Sequence, residues 1–260
     1  MIRIIPHKVD SAAMHLAVDR TLFDIMNKEL EYKDEVNPIL RTYQFSRPTV
    51  VFGNNQTLDK RYNPDIMDVD LVRRDTGGGH MYFDIQDIHF SFIAPFSFYE
   101  NNDLTKQYNK INGYIVEALR SCGYNASLGR TSIRVDNKIL VGSARKHERK
   151  VALHQGVILH TKYNDDVFKL LMARVDEISR WNQSVTSLQN YANGDPKKII
   201  KEIITITKPN YEQALTDEEI KIAKEFYFNR YTNPNFISHG HINQDICLIA
   251  LEYTKDNDKR

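Results

Sequence analysis

Within the stretch "RRDTGGG", residues 73–79, two arginines precede three consecutive glycines. Guanidinium groups recognise phosphate and carboxylate oxygens. Glycine has no side chain to hold a ligand off and reaches positive φ, so a glycine run lets backbone N–H groups close on a bound group. Arg73, Arg74, Thr76, Gly77, Gly78 and Gly79 therefore suit a ligand that carries or develops negative charge. Lys138 offers a further cation, a compact point charge. Gly142, Ser143 and Ala144 are small enough for a ligand to approach a strand closely, and His154 precedes Gly156 by two positions. Each set has a plainer reading: an exposed hairpin, a solvated lysine, a bend, or a core histidine.

Two phosphate-binding motifs are excluded. A P-loop or a dinucleotide fingerprint sets its glycines between a strand and a helix. Neither Gly-Lys-Ser/Thr nor G-x-G-x-x-G occurs here, and the glycines lead into "DIHFSFIAP", where Ile88, Phe90 and Phe92 alternate as in a strand. His239-Gly240-His241 lacks cysteine or carboxylate partners at zinc spacing, so no metal site is expected.

The elements that must carry these residues are mixed. Met14, Val18, Leu22, Met26 and Leu30 recur four apart, which predicts a core-facing helix over 11–31. "ILRTYQF" (39–45) and "TVVFG" (49–53) are predicted as two antiparallel strands joined through Ser46-Arg47-Pro48. A second helix is expected over 103–121, stopped by Gly123, then a hairpin turning at Asp136-Asn137 and a strand over 151–161. Thr216 and Glu219 form a capping box before a last helix. The pattern implies an α+β fold, a mixed and largely antiparallel sheet flanked by helices. Residues 190–215 hold the candidate boundary, giving a catalytic domain over 1–190 and a helical extension over 191–260 packed on the same domain.

Composition narrows the function classes. Thirty-five basic and 34 acidic residues leave a net charge of +1, so no nucleic-acid or membrane partner is expected. The basic stretch "ARKHERK" (144–150) is interrupted by Glu148 and reads as a loop over the site or a solvated hairpin. Two cysteines build no disulfide framework, and no leader or long apolar run is visible, which implies a cytoplasmic address.

Several stretches, in order, resemble the lipoate-protein ligase family, which shares its fold with biotin ligases and lipoyl/octanoyl transferases. "MHLAVDRTLF" is similar to that family's first-helix signature, and "PILRTYQFSRPTVVFGNNQ" to its strand pair ending in Gly and Gln. "RRDTGGGHMYFD" resembles its R-R-x-S/T-G-G-G-x-V-x-H-D loop, and "NKILVGSARK…LHQGVIL" its K-x-x-G-S-A-x…H-x-G-x-L-L block, with "SVTSL" a weaker echo. The resemblance implies that the carboxylate of lipoate or octanoate attacks the α-phosphate of ATP, delivered with Mg²⁺. The acyl-adenylate then acylates a lysine of a carrier: a lipoyl domain of a 2-oxoacid dehydrogenase E2 subunit, or the glycine-cleavage H protein. It also implies roles. One arginine and the glycines hold the adenylate, while Lys138 stands by the acyl carbonyl and α-phosphate. Gly53 and Gln56 lie near the acyl pocket, Asp84 closes the glycine loop, and His154 lines the acyl tunnel or orients a neighbour.

Departures qualify the chemistry. Phe83 and Gln86-Asp87 replace the family's His and Gly-Asn. In "GRTSI" (129–133), Thr131 and Ser132 stand for an Asn-Asp pair that contacts adenylate and metal, and hydroxyls are weaker Mg²⁺ ligands than carboxylates. Transfer between carrier proteins through a cysteine thioester is the rival chemistry. Its thiolate would belong where Ala152 stands, whereas Cys122 ends a helix and Cys247 lies in "DICLIALEY", read as a buried strand. A non-catalytic acyl-adenylate-binding module is the remaining class. Large ligases add a C-terminal domain, so a chain of this kind is expected to need a separate accessory subunit for adenylation.

Overall fold

The structure is a computed structural model that describes residues 1–260 apart from 59–61, 100–102, 193, 208–209 and 241–260. The strand expected around Cys247, and His241, lie outside the described residues. In chain order the larger sheet and its neighbour are built from β1 (Ile2–Asp10), β2 (Ile39–Phe45), β3 (Thr49–Phe52), β4 (Asp70–Arg73), β5 (Met81–Phe83) and β6 (Ile88–Pro95). They continue through β7 (Ala126–Leu128), β8 (Ser132–Val135), β9 (Lys138–Glu148), β10 (Val151–Ile158) and β11 (Asn210–Glu212). Eight strands pair in the order β11-β1-β2-β6-β10-β9-β8-β7, and three form a small sheet, β4-β3-β5. In the large sheet β1 runs parallel to β11 and β2, and the remaining pairs are antiparallel. The expected α+β class with a mixed, largely antiparallel sheet is what the chain forms.

The predicted β2–β3 pair does not form. Both flanks of β2 are taken by β1 and β6, and both flanks of β3 by β4 and β5. The Ser46-Arg47-Pro48 link crosses between sheets: Ser46 N–H donates to Asp10 O at 2.8 Å, and Pro48 O accepts from Asp70 N–H at 2.9 Å. A short polar link with proline resembles a hairpin turn locally, but distant strands compete for the same backbone groups.

The helices are α1 (Ala12–Glu29), α2 (Leu104–Ser121), α3 (Asp165–Leu170), α4 (Val175–Ser184), α5 (Pro196–Ile206), α6 (Asp217–Phe226) and α7 (Pro234–His239). The large sheet has α1 on one face and α2 with α5 on the other, while α3 packs on the small sheet. Ser11 caps α1 and Asp103 caps α2, while Gly123, at φ +91°, follows the C-terminus of α2. Alternation along β6 splits the core: Phe90 and Phe92 pack with α2 and α5, whereas Ile93 packs with Val18, Leu22 and Phe23 of α1. Within the candidate boundary, Ile199, Ile200 and Ile203 of α5 join the α2 core, and β11 extends the sheet beside β1. Thr216 Oγ accepts from Glu219 N–H while the Glu219 carboxylate accepts from Thr216 N–H at 2.8 Å, the capping box expected.

The β8–β9 turn is the hairpin predicted, with Asp136 and Asn137 at φ +49° and +65°. "ARKHERK" is not a free loop. Its first five residues continue β9, laddered to β10 as far as Glu148 opposite Val151, and Arg149 turns the hairpin at φ +51°.

Candidate functional site

A cavity of about 360 Å³ lies between the large sheet and the small one, bounded by the glycine loop that joins β4 to β5. Alternation puts Tyr43, Phe45, His89 and Val157 of the large sheet on one wall, and Val51, Met81 and Phe83 of the small sheet on the other. Rings stack along that wall: Phe45 on His89 at 3.9 Å between centroids, and His15 on Tyr43 at 4.3 Å. Trp181 of α4, stacked on Tyr163 at 4.3 Å, adds a further apolar edge with Val185. The remaining lining is small or polar: Arg74, Thr76, Gly77, Gly78 and Gly79 on the loop, facing Thr131 just before β8, Ser132 on β8, and Gly142, Ser143 and Ala144 on β9. Such a space accepts an elongated apolar body with a polar head.

The two loop arginines behave differently. Arg73 is fully buried and does not line the cavity; its guanidinium donates to the carbonyls of Gly53 (2.8 Å), Phe236 (2.8 Å) and Ile237 (2.7 Å). Substrate contact by Arg73 is thus corrected to anchoring, because a strand residue next to Arg74 points away from the cavity that Arg74 faces. Arg74 lines the cavity while donating to Gly77 O (2.7 Å) and Gly79 O (2.9 Å), so it braces its own loop. Burial lowers its pKa to about 10.

Lys138 is exposed and lines nothing in the cavity. Ile139, Leu140 and Val141 separate it from Gly142, one residue more than K-x-x-G-S-A allows, so the motif's lysine position falls on Ile139, which does line the cavity. A bulge assists: Ile133 pairs with Val141 and Arg134 with Ile139, leaving Leu140 extra. The catalytic role expected of Lys138 is corrected accordingly.

Three further expectations move from contact to support. A Cβ on Gly53 would run into Gly78 O, so Gly53 lets two loops touch, and Gln56 accepts from Gly53 N–H at 2.9 Å. Neither residue lines the cavity. Asp84 sits in the β5–β6 turn, accepting from Gln86 N–H at 3.2 Å, rather than in the site. His154 is fully buried on the α2 face, where its Nε2 lies 3.2 Å from Asn112 Oδ1, and Asn112 in turn reaches Ser143 Oγ at 3.4 Å. Burial, aided by Arg145, holds its pKa down at about 3. His154 therefore sits beside Asn112 and does not line the cavity. Gly156 contributes backbone to the cavity wall, while a Cβ there would strike the Phe90 ring.

Sequence inspection missed Gln155. Its Oε1 accepts from Thr76 Oγ1 at 2.9 Å and its Nε2 donates to Asp19 Oδ2 at 2.8 Å. Asp19, fully buried, also accepts from Ser91 Oγ at 2.6 Å, Tyr43 OH at 3.2 Å and the Arg41 guanidinium. The period-two rule places Gln155 on the face opposite His154 and could have found it.

Among the described residues no carboxylate lines the cavity, and Thr131 and Ser132 offer hydroxyls, weaker Mg²⁺ ligands than carboxylates. Among the described residues, no group of three or more His, Cys, Asp or Glu could hold a metal ion. Cys122 is buried in the α2 core, where burial raises its pKa. No described helix is long and apolar enough to cross a membrane.

The chain is an α+β domain whose cavity has apolar walls and is bounded on its polar side by a glycine loop. Residues 11–207 match the lipoyl protein ligase A/B catalytic domain, and the chain belongs to that family. It is 28% identical over 204 residues to lipoate–protein ligase 1 of Staphylococcus aureus, covering 73% of this chain and 61% of that protein. Lipoate-protein ligase A subunit 1 of Thermoplasma acidophilum is 24% identical over 250 residues, covering 84% and 89%. The octanoyltransferase LipM of Clostridioides difficile is 24% identical over 271 residues, covering 90% and 97%. The fold is shared with an ATP-bound lipoate-protein ligase A, at a TM-score of 0.78 and 21% identity over 92% of this chain and 99% of that one. It is shared also with a bipartite ligase from T. acidophilum solved with its E2 lipoyl domain, at 0.79 and 20% identity over 93% and 97%.

Proposed function

We propose that this chain is a lipoate-protein ligase that holds a lipoyl or octanoyl adenylate in the cavity and passes the acyl group to a lysine of a lipoyl domain. The observation that supports it is the cavity's polarity: aromatic and aliphatic walls for the acyl chain, beside backbone, hydroxyls and Arg74 for a mixed anhydride. Preorganised N–H and O–H donors of that kind favour charge that develops on carbonyl and phosphate oxygens during aminolysis. Forming the adenylate from ATP-Mg²⁺ asks for more positive charge than Arg74 supplies, and Ile139 occupies the place of the motif's lysine. Activation is therefore assigned to the chain working with an accessory subunit, an arrangement that the two-part ligase of T. acidophilum makes reasonable. E2 lipoyl domains are the favoured carriers, with the glycine-cleavage H protein as a second.

Similarity to LipM keeps transfer from an acyl carrier as a second reading. That chemistry requires a thiolate, and no cysteine lines the cavity among the described residues. The test is intact-mass spectrometry of an apo lipoyl domain offered lipoate with ATP-Mg²⁺, preformed lipoyl-adenylate, or octanoyl-carrier protein. Modification from lipoyl-adenylate is expected, with free lipoate and ATP serving poorly until the accessory subunit is added. Modification from the acyl carrier alone would replace the ligase reading with a transferase.

A further inference from the structure

The glycine loop is held from outside the cavity by a buried carboxylate. Asp75 lies between Arg74 and Thr76, is 5% exposed, and does not line the cavity. Its carboxylate accepts from Arg230 Nη2 at 2.6 Å and from Tyr231 OH, with Arg20 of α1 at 3.7 Å. Burial opposes ionisation, but the guanidiniums of Arg230 and Arg20 outweigh it and hold the Asp75 carboxyl well below the usual carboxylate range. Arg230 and Tyr231 belong to the turn between α6 and α7, and the Arg230 guanidinium lies 3.9 Å over the Phe236 ring. The same segment also meets the strand that leads into the loop and the stretch that follows β3. Arg73 donates to carbonyls at the end of α7, and Ser238 O accepts from Leu58 N–H at 3.1 Å.

We propose that Asp75 is a positioning residue: with Arg230 and Tyr231 it clamps the glycine loop onto the C-terminal segment 217–240, which makes that segment a working part of the ligand site. Thr76 and Gly77, the next residues along, line the cavity, so a shift of Asp75 moves the cavity wall directly. Coupling is reciprocal: a ligand that orders the loop must also tighten the docking of 227–239. The ligand arm of the test rests on the acyl-adenylate reading, and the ligand-free arm does not.

Amide hydrogen exchange of the wild-type chain, Tyr231→Phe and Arg230→Met tests the clamp. Tyr231→Phe deletes one hydroxyl and keeps the ring, so it guards against a variant that fails to fold. Exchange at 76–79 is expected to quicken by about tenfold to a hundredfold, the size of one hydrogen bond to a charged group, while β6 and β10 stay protected. Affinity for lipoyl-sulfamoyl-adenosine, a stable stand-in for the adenylate, should weaken in step, and the same compound should slow exchange at 227–239 in the wild type. Unchanged exchange at 76–79 in both variants, or a rise shared evenly with β6 and β10, overturns the clamp. If the wild type ignores the compound, the acyl-adenylate reading fails, and the ligand-free exchange still decides the clamp.

Discussion

Lys138 and Ile139 are adjacent on β9, yet only Ile139 lines the cavity, and Lys138 is exposed. One step along a strand exchanges faces, so a motif displaced by one residue delivers its lysine to solvent. Lys138→Ala should leave acyl transfer from lipoyl-adenylate within about twofold of wild type, as a solvated charge contributes little. Ile139→Lys should raise the ATP-dependent yield about tenfold or more, because a fixed cation beside the developing charge is worth several kcal/mol. Product mass after timed incubation reads both; a large loss in Lys138→Ala would restore its catalytic role.

Gly53 and Gly78 come together because Gly53 has no side chain where the Gly78 carbonyl approaches it. Gly53→Ala would drive a Cβ into Gly78 O, and backbone cannot swing aside as a side chain tip can. Overpacking of this sort costs about 1–3 kcal/mol, which a urea titration resolves. Ligand affinity should fall with stability, since the displaced atoms belong to the loop.

The local elements were legible because their signals are local. Gly123 after α2, the Asp136-Asn137 turn and the Thr216–Glu219 box all act within a few residues of themselves. What could not be read depends on distant segments. The parallel pairing of β1 with β2 and β11, and the separation of β2 from β3, are decided by strands far apart in the chain. In the site, the glycine loop was legible by composition, whereas the division of labour between Arg73 and Arg74 needed α7, which supplies carbonyls to Arg73 alone. Gln155 carries no motif, and its importance emerges only when Asp19 and Thr76 arrive on either side.

Three buried histidines predict an acid-sensitive fold. Burial lowers His15 to about 2, with help from the Arg41 charge, and lowers His89 and His154 to about 3. In the unfolded chain they titrate near 6.5. Their folded values are depressed, so the unfolded state takes up protons first, and the stability they confer is present above about pH 6.5 and lost as pH falls toward 3. Asp87 acts in the opposite sense, since burial lifts it to about 7 and its contribution fades as pH rises from about 4. Unfolding should therefore take up a net of just under about one proton at pH 6.5, rising to about two at pH 5, read from the slope of urea stability against pH. His89→Phe should reduce that uptake by about one; a flat profile would show that these imidazoles are not held neutral.

Gln155 should prove the most informative single substitution in the cavity wall. Its amide is satisfied at both ends, accepting from Thr76 and donating to Asp19, so it joins the base of the glycine loop to a carboxylate on α1. Gln155→Leu keeps the volume and removes both bonds, leaving Thr76 Oγ1 without that acceptor and Asp19 with Arg41, Tyr43 and Ser91. A buried group left unmatched costs about 1–3 kcal/mol, and the loss falls mainly on Thr76, because Asp19 keeps three other donors. Gln155→Glu sets a second carboxylate against Asp19 in a buried site, where like charges repel strongly, so it should be the more damaging of the two and worsen as pH rises. Melting temperature against pH separates the cases: Gln155→Leu should be lowered by a similar amount throughout, and Gln155→Glu should approach the wild type only in acid, where the new carboxyl is protonated. Equal, pH-independent losses would mean that Gln155 fills space and that its link between α1 and the glycine loop carries no weight.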